Sequence, residues 1–371
     1  MKNKIFKYDF LIVGAGLVGS LAAMALHQKK YKVLVIEKNK LFLKDERTLA
    51  VNANSRDFLR DIGIWKDLKS NFESIEKIVI KDYVNKKDLI FHNAKESMGS
   101  VIFNKSLLKI SREYLVKHKM LLTNIDFDLF NFEPKKVFSI NSKKFVCNKI
   151  IFSLGKNYEN YQNFKKNIIN SDHKAYVGFF KHQKNHNQIA YEIFTPSGPL
   201  AVLPSPSRQK KSSTFIFSTK NKMSSSDLFT MIKSNFYSSH GNINMRPSIS
   251  YYPIKPHISR PIKKDILLIG DTAHSIHPVA GQGWNLGIKD IQTLCSCLDK
   301  YDIDEKNFDE YYFSKRIIEN FIYLSFTSML NHLYENQNPI TKSIVKTSHF
   351  ILSQFPYLKH LFIKQAMGKI S

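Results

Sequence analysis

The 371-residue chain is expected to fold as an α/β protein: a parallel-sheet domain, an inserted mixed β-sheet domain and a C-terminal helical segment. Three observations carry this expectation. A strand, tight turn, helix and strand open the chain, a second buried strand runs into a glycine-rich turn near residue 270, and a helical period takes over from Asn307. Length agrees, because single cores stop growing at roughly 250–300 residues and longer chains divide into lobes.

Composition narrows the class. With 43% hydrophobic and 13% aromatic residues, the chain is globular rather than disordered. Its net charge of +25 comes mostly from lysines spread along the whole sequence, with no nucleic-acid motif, so no nucleic-acid partner is expected. The end of the chain is a local exception: no acidic residue follows Glu335, whereas Lys342, Lys346, Lys359, Lys364 and Lys369 accumulate. Cys147, Cys295 and Cys297 have neither metal-site spacing nor the number for a disulfide framework, and read as buried free thiols in a reducing cytoplasm. The apolar run "FLIVGAGLVGSLAAMAL" after Lys2, Lys4 and Lys7 imitates a signal peptide, but its glycines have another use. A cytoplasmic protein, soluble or peripheral to the inner membrane, is the expectation.

In "YDFLIVGAGLVGSLAAMALHQKKYKVLVIEKN", Gly14, Gly16 and Gly19 with the intervening Ala15 stand as G-x-G-x-x-G between the first strand and its helix. The first glycine permits the turn, the second lets backbone approach a pyrophosphate, and the third lets helix pack on strand. Unpaired N–H groups and the positive end of the helix dipole then face the phosphates. Glu37, followed by Lys38, ends the second strand near the ~20-residue offset at which an acid meets an adenosine ribose hydroxyl. It would repel a 2′-phosphate, so this Rossmann-like, three-layer domain should hold FAD or NAD.

"DILLIGDTAH" predicts another buried strand, Ile266 to Ile269, ending at Gly270 and Asp271. A short acid at a strand's carboxyl edge can accept hydrogen bonds from a polyol such as ribityl, and Gly270 lets the chain come close. After Pro278, "AGQGWNLGIKDIQTLCSCL" reads as a glycine-rich loop opening an amphipathic helix. Its first N–H groups would stabilise the negative charge of a reduced flavin ring. His274 and His277 have no accompanying cluster of acids or cysteines, and no metal site is expected.

Taken with "DERTLAVNANSRDFLRDIGIW", "MGSVIFNKSLL", "YEIFTPSGPLAVLPSP" and the closing "KQAMG", these blocks resemble the group A flavoprotein aromatic hydroxylases, and more narrowly the ubiquinone-biosynthesis hydroxylases of the UbiH/UbiF type. The resemblance spans nearly the whole chain in order. It implies FAD binding by Gly14, Gly16, Gly19 and Glu37, with Arg47 beside the cofactor and Asp271 on the ribityl chain. Pro278, Gly281, Gln282, Gly283 and Asn285 would border the isoalloxazine. The implied activity is monooxygenation of a polyprenylated phenol with O2, through a flavin C4a-hydroperoxide, with NAD(P)H as electron donor. Peripheral contact with a membrane is a separate expectation, drawn from the basic, apolar end of the chain, and partners in a quinone-biosynthesis complex are one drawn from the departure at Leu154.

Between the glycine blocks, "SDHKAYVGFFKH", "QIAYEIFTPSGPLAVLPSP" and "SSTFIFSTK" predict successive strands of the inserted sheet, with Tyr191, Phe194, Pro196 and Leu203 as pocket or core residues. The expected division is 1–75, 98–160 and 262–305 for the FAD domain, 76–97 and 161–261 for the substrate domain, and 306–371 for the helices. In the helical tail, Ile317, Ile318, Phe321, Leu324, Leu330, Leu333 and Tyr334 are expected to share a buried face, with Pro339 and Pro356 dividing it. The last helix is basic and apolar, suited to capping the core or to an anionic membrane surface.

One block departs from the resembled pattern. Where the family carries Asp-Gly followed by Ser and Arg, this chain has Leu154-Gly155 and no nearby arginine; Lys105 also stands where arginine is frequent. The missing groups are charge-assisted hydrogen-bond partners worth roughly 1.5–3 kcal/mol each. The nicotinamide step is therefore left open, as are two rivals: a non-hydroxylating FAD oxidoreductase of the same fold, such as a prenyl reductase, and a non-catalytic flavoprotein subunit. No general base stands out, so the catalytic residues are unassigned.

Overall fold

The computed structural model describes residues 4–40, 46–68, 71–85, 87–125, 133–155, 166–169, 171–207, 209–245, 249–336 and 338–369. Its first sheet is centred on Ile5–Val13, where Phe10 and Ile12 enter one core and Leu11 and Val13 the other, all fully buried. A central parallel strand covered on both faces needs this continuous apolar run. Val33–Glu37 and Lys143–Phe152 flank it in parallel, Leu121–Thr123 extends one side and Ile266–Leu268 the other. Phe138–Ile140 and Ile262–Lys263 join antiparallel.

Helices α1 (Leu17–Gln28), α2 (Ala53–Asp61), α3 (Ile64–Leu68) and α4 (Asn104–Lys117) supply the larger core on one face. The opposite face is closed by Phe138, Ile140, Phe145 and Cys147. These layers form the α/β fold expected from the opening pattern. The second sheet runs in the order Ile243–Met245, Lys174–His182, Ser212–Thr219, Gly198–Pro204, Ile189–Thr195, Lys77–Asp82, Leu89–His92, with Ser250–Pro253 also paired to Lys174–His182. It is mixed, because Ile189–Thr195 and Lys77–Asp82 alone among these pairs run parallel. Helix α5 (Ser225–His240), started by a Ser224/Asp227 capping box, covers it with Leu228, Ile232 and Phe236. Tyr191, Phe194 and Leu203 are buried as expected of core residues, whereas Pro196 is exposed at the tip of its hairpin.

Two three-stranded sheets join these bodies: Thr48–Asn52 with Gly99–Phe103 and Phe72–Ile75, and Lys166–Ile168 with His257–Ser259 and His274–Ser275. The latter ties residues beside the second glycine block to the inserted segment. The helical end comprises α6 (Gly283–Leu298), α7 (Lys306–Glu335), α8 (Pro339–Gln354) and α9 (Pro356–Ala366). Pro339 and Pro356 each occupy a first helical position, where a missing N–H costs nothing.

The predicted face of α7 is corrected. Ile318 and Phe321 are 59% and 62% exposed, while Phe308, Tyr312, Arg316, Asn320, Tyr323, Leu324, Thr327 and Asn331 are buried. Arg316 turns inward to a buried carboxylate on α6, and Asn320 Oδ1 accepts from its guanidinium, a pairing that apolar periodicity does not register. Cys147 and Cys297 are buried and Cys295 partly so, all unpaired; burial pushes their thiols up to about 12, 12 and 11.

Candidate active site

The glycine turn lies at the carboxyl end of Ile5–Val13, between its two parallel neighbours, where the sheet's strand order reverses. Crevices at such points hold ligands in open α/β sheets. Gly14 has φ +106°, and a Cβ there would lie 2.3 Å from the Ser153 carbonyl oxygen; one at Gly19 would lie 2.1 Å from the Gly14 oxygen. Gly16 differs: its φ is an ordinary −70°, and an added Cβ would meet nothing within 4 Å among the described residues. The second glycine therefore faces open space at the start of α1, whose first turn has no acid and no side-chain cap. Glu37 Oε2 accepts from the Ala15 N–H at 2.8 Å and Oε1 from the Asn39 N–H at 3.0 Å, so the strand-end acid and Lys38 beside it border the turn.

Arg112, which sequence reasoning missed, braces this turn. Its Nε donates to the Ala15 carbonyl at 2.8 Å from a buried position on α4; burial pushes the guanidinium down and the Glu37 charge opposes that. No local spacing relates residues 97 apart, and only the packing of α4 on α1 brings them together.

The second wall is built on Gly270, at φ +59°, and the partly exposed Asp271 in the one-turn segment Gly270–Thr272. Added Cβ atoms at Gly270 and Gly287 would lie 3.1 and 2.9 Å from Val18 side-chain atoms, so these glycines seat α6 and the turn directly on α1. Beneath them, Asp290 accepts from the Gly270 N–H at 2.8 Å, pairs with His274 Nε2 at 2.8 Å and accepts from Arg316 Nε at 2.6 Å. Burial raises the Asp290 carboxyl, but His274 and Arg316 hold it below the usual carboxylate range. His274 is thus a structural partner of Asp290. Asp290 and Arg316 were also missed, since the helical period marks residue 290 only as a polar position.

Leu154 and Gly155, the point of departure from the resembled pattern, donate their N–H groups to Thr272 Oγ1 at 2.7 and 3.2 Å. Gly155 has φ +74°, and a Cβ there would meet nothing within 4 Å among the described residues. The turn is kept, and its backbone is tied to the residue after Asp271.

Along the glycine loop, Pro278, Gln282 and Gly283 are partly exposed, as is Gly281 at φ +61°, where a Cβ would lie 3.0 Å from that of Ala50. Helix α6 starts at Gly283 with no side-chain cap and no acid in its first turn. Asn285 is buried: its Nδ2 donates to Ala50 O at 2.9 Å and Gly281 O at 3.1 Å, and its Oδ1 accepts from Asn52 N at 3.0 Å. Its side chain shapes the loop from behind. Arg47 is exposed, its guanidinium 5.2 Å from the Tyr252 ring, and its carbonyl accepts from Asn104 N at 2.9 Å. Asp45, beside it in sequence, lies outside the described residues.

His277 is buried with no hydrogen-bond partner on either ring nitrogen among the described residues, and the indole Nε1 of Trp284 is likewise unpaired. Burial, then nearby His173, lowers His277 to about 4. His173 lies edge-on to it, 5.4 Å between ring centroids, and pairs through Nε2 with Glu335. Among the described residues no three His, Cys, Asp or Glu side chains gather as a metal-binding set.

These residues fit FAD: Gly16 leaves a backbone cradle at an uncapped helix start, Glu37 borders it, and Asp271 leads to a second uncapped helix start. The sequence profile of the FAD binding domain family matches residues 7–113 and 174–302. The ubiquinone hydroxylase UbiL of Rhodospirillum rubrum is 24% identical over 98% of this chain and 90% of its own length. The 3-demethoxyubiquinol 3-hydroxylase of Escherichia coli is 22% identical over 97% of this chain and 98% of its own. The crystal structure of p-nitrophenol 4-monooxygenase PnpA from Pseudomonas putida superposes with a TM-score of 0.76 at 13% identity, covering 98% of this chain and 99% of that one, a likeness of fold.

Proposed function

Because the chain belongs to the FAD binding domain family and is an FAD-dependent monooxygenase of the ubiquinone hydroxylase kind, we propose that it hydroxylates the aromatic ring of a polyprenylated phenol. One observation carries the site assignment: Gly270 and Gly287 seat on Val18, so the uncapped starts of α1 and α6 open toward the same carboxyl edge of the parallel sheet. Two such N-termini suit the two charged regions of a flavin dinucleotide, its pyrophosphate and its reduced ring. Bound there, FAD supplies the reduction and activation of O2 that ring hydroxylation needs. The chain's own share is positional. Gly16 and the α1 amides take the pyrophosphate, Glu37 the adenosine ribose, Asp271 the ribityl hydroxyls, and the α6 amides the charge on the reduced ring. Pro278, Gly281, Gln282 and Gly283 border that ring, and Asn285 fixes their shape from behind; Arg47 and Lys38 lie at the rim.

Complementation of strains that each lack one ring-hydroxylation step tests the substrate class. Restored quinone synthesis in one of them is expected; failure in all, by a folded and flavin-loaded protein, overturns the proposal. Replacing Asp271 by Ala should empty the flavin site without unfolding the chain, and stoichiometric FAD in the purified variant would refute its role.

Leu154 in place of the resembled aspartate supports a second reading, in which NAD(P)H does not reduce this flavin and the protein takes electrons elsewhere or serves as a non-catalytic subunit. Anaerobic mixing of the holoprotein with NADPH or NADH separates the two. Rapid bleaching of the flavin absorbance rules out the second.

A further inference from the structure

Helices α8 and α9 are poorly explained as a cap on the core. Of the 16 residues of α8 only Thr341 and Val345 are buried, and of the 11 in α9 only Ile363. Their outward surface carries large apolar side chains instead: Ile340 is 71% exposed, Phe350 61%, Phe355 53% and Tyr357 72%, with Ile344 and Leu358 beside them. Isolated exposed hydrophobes are ordinary, but a run of them along two consecutive helices marks an interaction surface. The charge pattern indicates with what. From residue 336 to the end there are five lysines and no acid, and Lys342, Lys346 and Lys364 are exposed with no ion pair among the described residues. Lys369, by contrast, is tied to Glu96 and Asp57 on the body of the protein.

We propose that the outer face of α8 and α9 docks on an anionic lipid bilayer. Aromatic and aliphatic side chains interleaved with lysines match the boundary layer of a bilayer, where rings sit at headgroup depth, stems of lysine lie along the apolar layer and ammonium groups reach the phosphates. An acidic protein would present carboxylates to such lysines but would leave the interleaved Phe and Ile side chains needing a shaped apolar counterpart; acyl chains need no shape. The inner end of α9 reaches the candidate site. Asn54 N–H donates to Met367 O at 3.0 Å, Gln282 Nε2 to Ala366 O at 3.4 Å, and a Cβ on Gly368 would lie 2.6 Å from Asn52 Nδ2. A helix of this length spans about 16 Å, so one short element links the lipid face to the loop that borders the flavin. The benefit to catalysis rests on the polyprenylated-substrate reading; the docking itself does not.

The test is flotation of the purified holoprotein, without substrate, on vesicles of phosphatidylcholine alone and of phosphatidylcholine with phosphatidylglycerol. Binding to the anionic vesicles only, weakened by added salt, is expected. The triple variant K342Q/K346Q/K364Q should lower the partition coefficient about 100-fold, roughly fivefold for each lysine. F355S/Y357S should abolish what remains at high salt. These side chains are exposed, so unchanged melting temperatures and flavin content check that both variants are folded. Equal binding to neutral vesicles, binding to neither, or variants that bind as tightly as the parent would overturn the proposal, as would capture of acidic proteins without vesicle binding. None of these outcomes depends on whether complementation succeeds.

Discussion

A methyl group at Gly14 would press on the Ser153 carbonyl and also require a φ near +106°, whereas one at Gly16 would meet none of the described residues within 4 Å at an ordinary φ. The two glycines of one motif thus have separable roles. Gly14→Ala should destabilise the fold by ~3 kcal/mol or more in urea unfolding, since both backbone strain and overpacking act there. Gly16→Val should stay within about 1 kcal/mol of the parent yet lose most of its FAD, read from the flavin absorbance of the purified protein. If instead Gly16→Val unfolds and Gly14→Ala retains both stability and flavin, the division of labour is reversed. Arg112 extends the turn inward through its bond to the Ala15 carbonyl, a brace set by the contact of α4 with α1.

Helices α6 and α7 meet over a fully buried charge pair, Asp290 with Arg316, and this contact decides how the second glycine block sits. Asp290 holds the Gly270 amide and His274 with one oxygen and Arg316 with the other, so the helix pair and the Asp271 turn share one carboxylate. Removing the Asp290 charge leaves the fully buried Arg316 with only the partly exposed Glu319 of its own helix as an acidic partner among the described residues, and takes the charged acceptor from the Gly270 amide and His274. Asp290→Asn should cost about 3–5 kcal/mol by equilibrium unfolding, and the double change Asp290→Leu with Arg316→Met should recover much of it. A cost below ~1 kcal/mol for Asp290→Asn would mean that water, rather than Arg316, compensates that charge. The same contact goes with the orientation of α7, which buries Arg316 and its partner Asn320 while exposing Ile318 and Phe321.

Across the whole molecule, a cluster of buried histidines lies where α5 meets the mixed sheet: His182 ends a strand, His186 follows it and His240 ends α5, with the His182 and His240 rings 4.5 Å apart. Burial, with the charge of neighbouring histidines, lowers His186 to about 4 and His240 to about 3; burial, with the charge of Lys211, also lowers His182. The imidazoles stay neutral in the folded protein while the unfolded chain takes up protons below about 6.5, so stability is full above that pH and falls as pH drops toward about 4. Glu335, held at about 2 by His173 and Lys220 against burial, adds a loss between 4.5 and 2. Unfolding free energies from urea titrations between neutral and mildly acidic pH should decline by roughly 1.4 kcal/mol per displaced pH unit per histidine at most, and His240→Phe should flatten the decline. A pH-independent midpoint would show that the cluster is hydrated. Much of the architecture was legible beforehand: the glycine spacing, the strand-end Glu37, the buried strand before Gly270, the run of strands between, and the prolines that start α8 and α9 all reflect local steric and periodic rules. Sequence alone therefore determined the α/β class and the two glycine-rich turns, because each depends on residues close together in the chain. Only the tertiary structure decided that Asn285 faces the loop's backbone, that Arg112 and Asp290 brace the two glycine turns, that Ser212–Thr219 inserts beside Gly198–Pro204, and that α8 and α9 leave their apolar faces uncovered. Those outcomes depend on groups far apart in sequence whose burial and charge are set by one another.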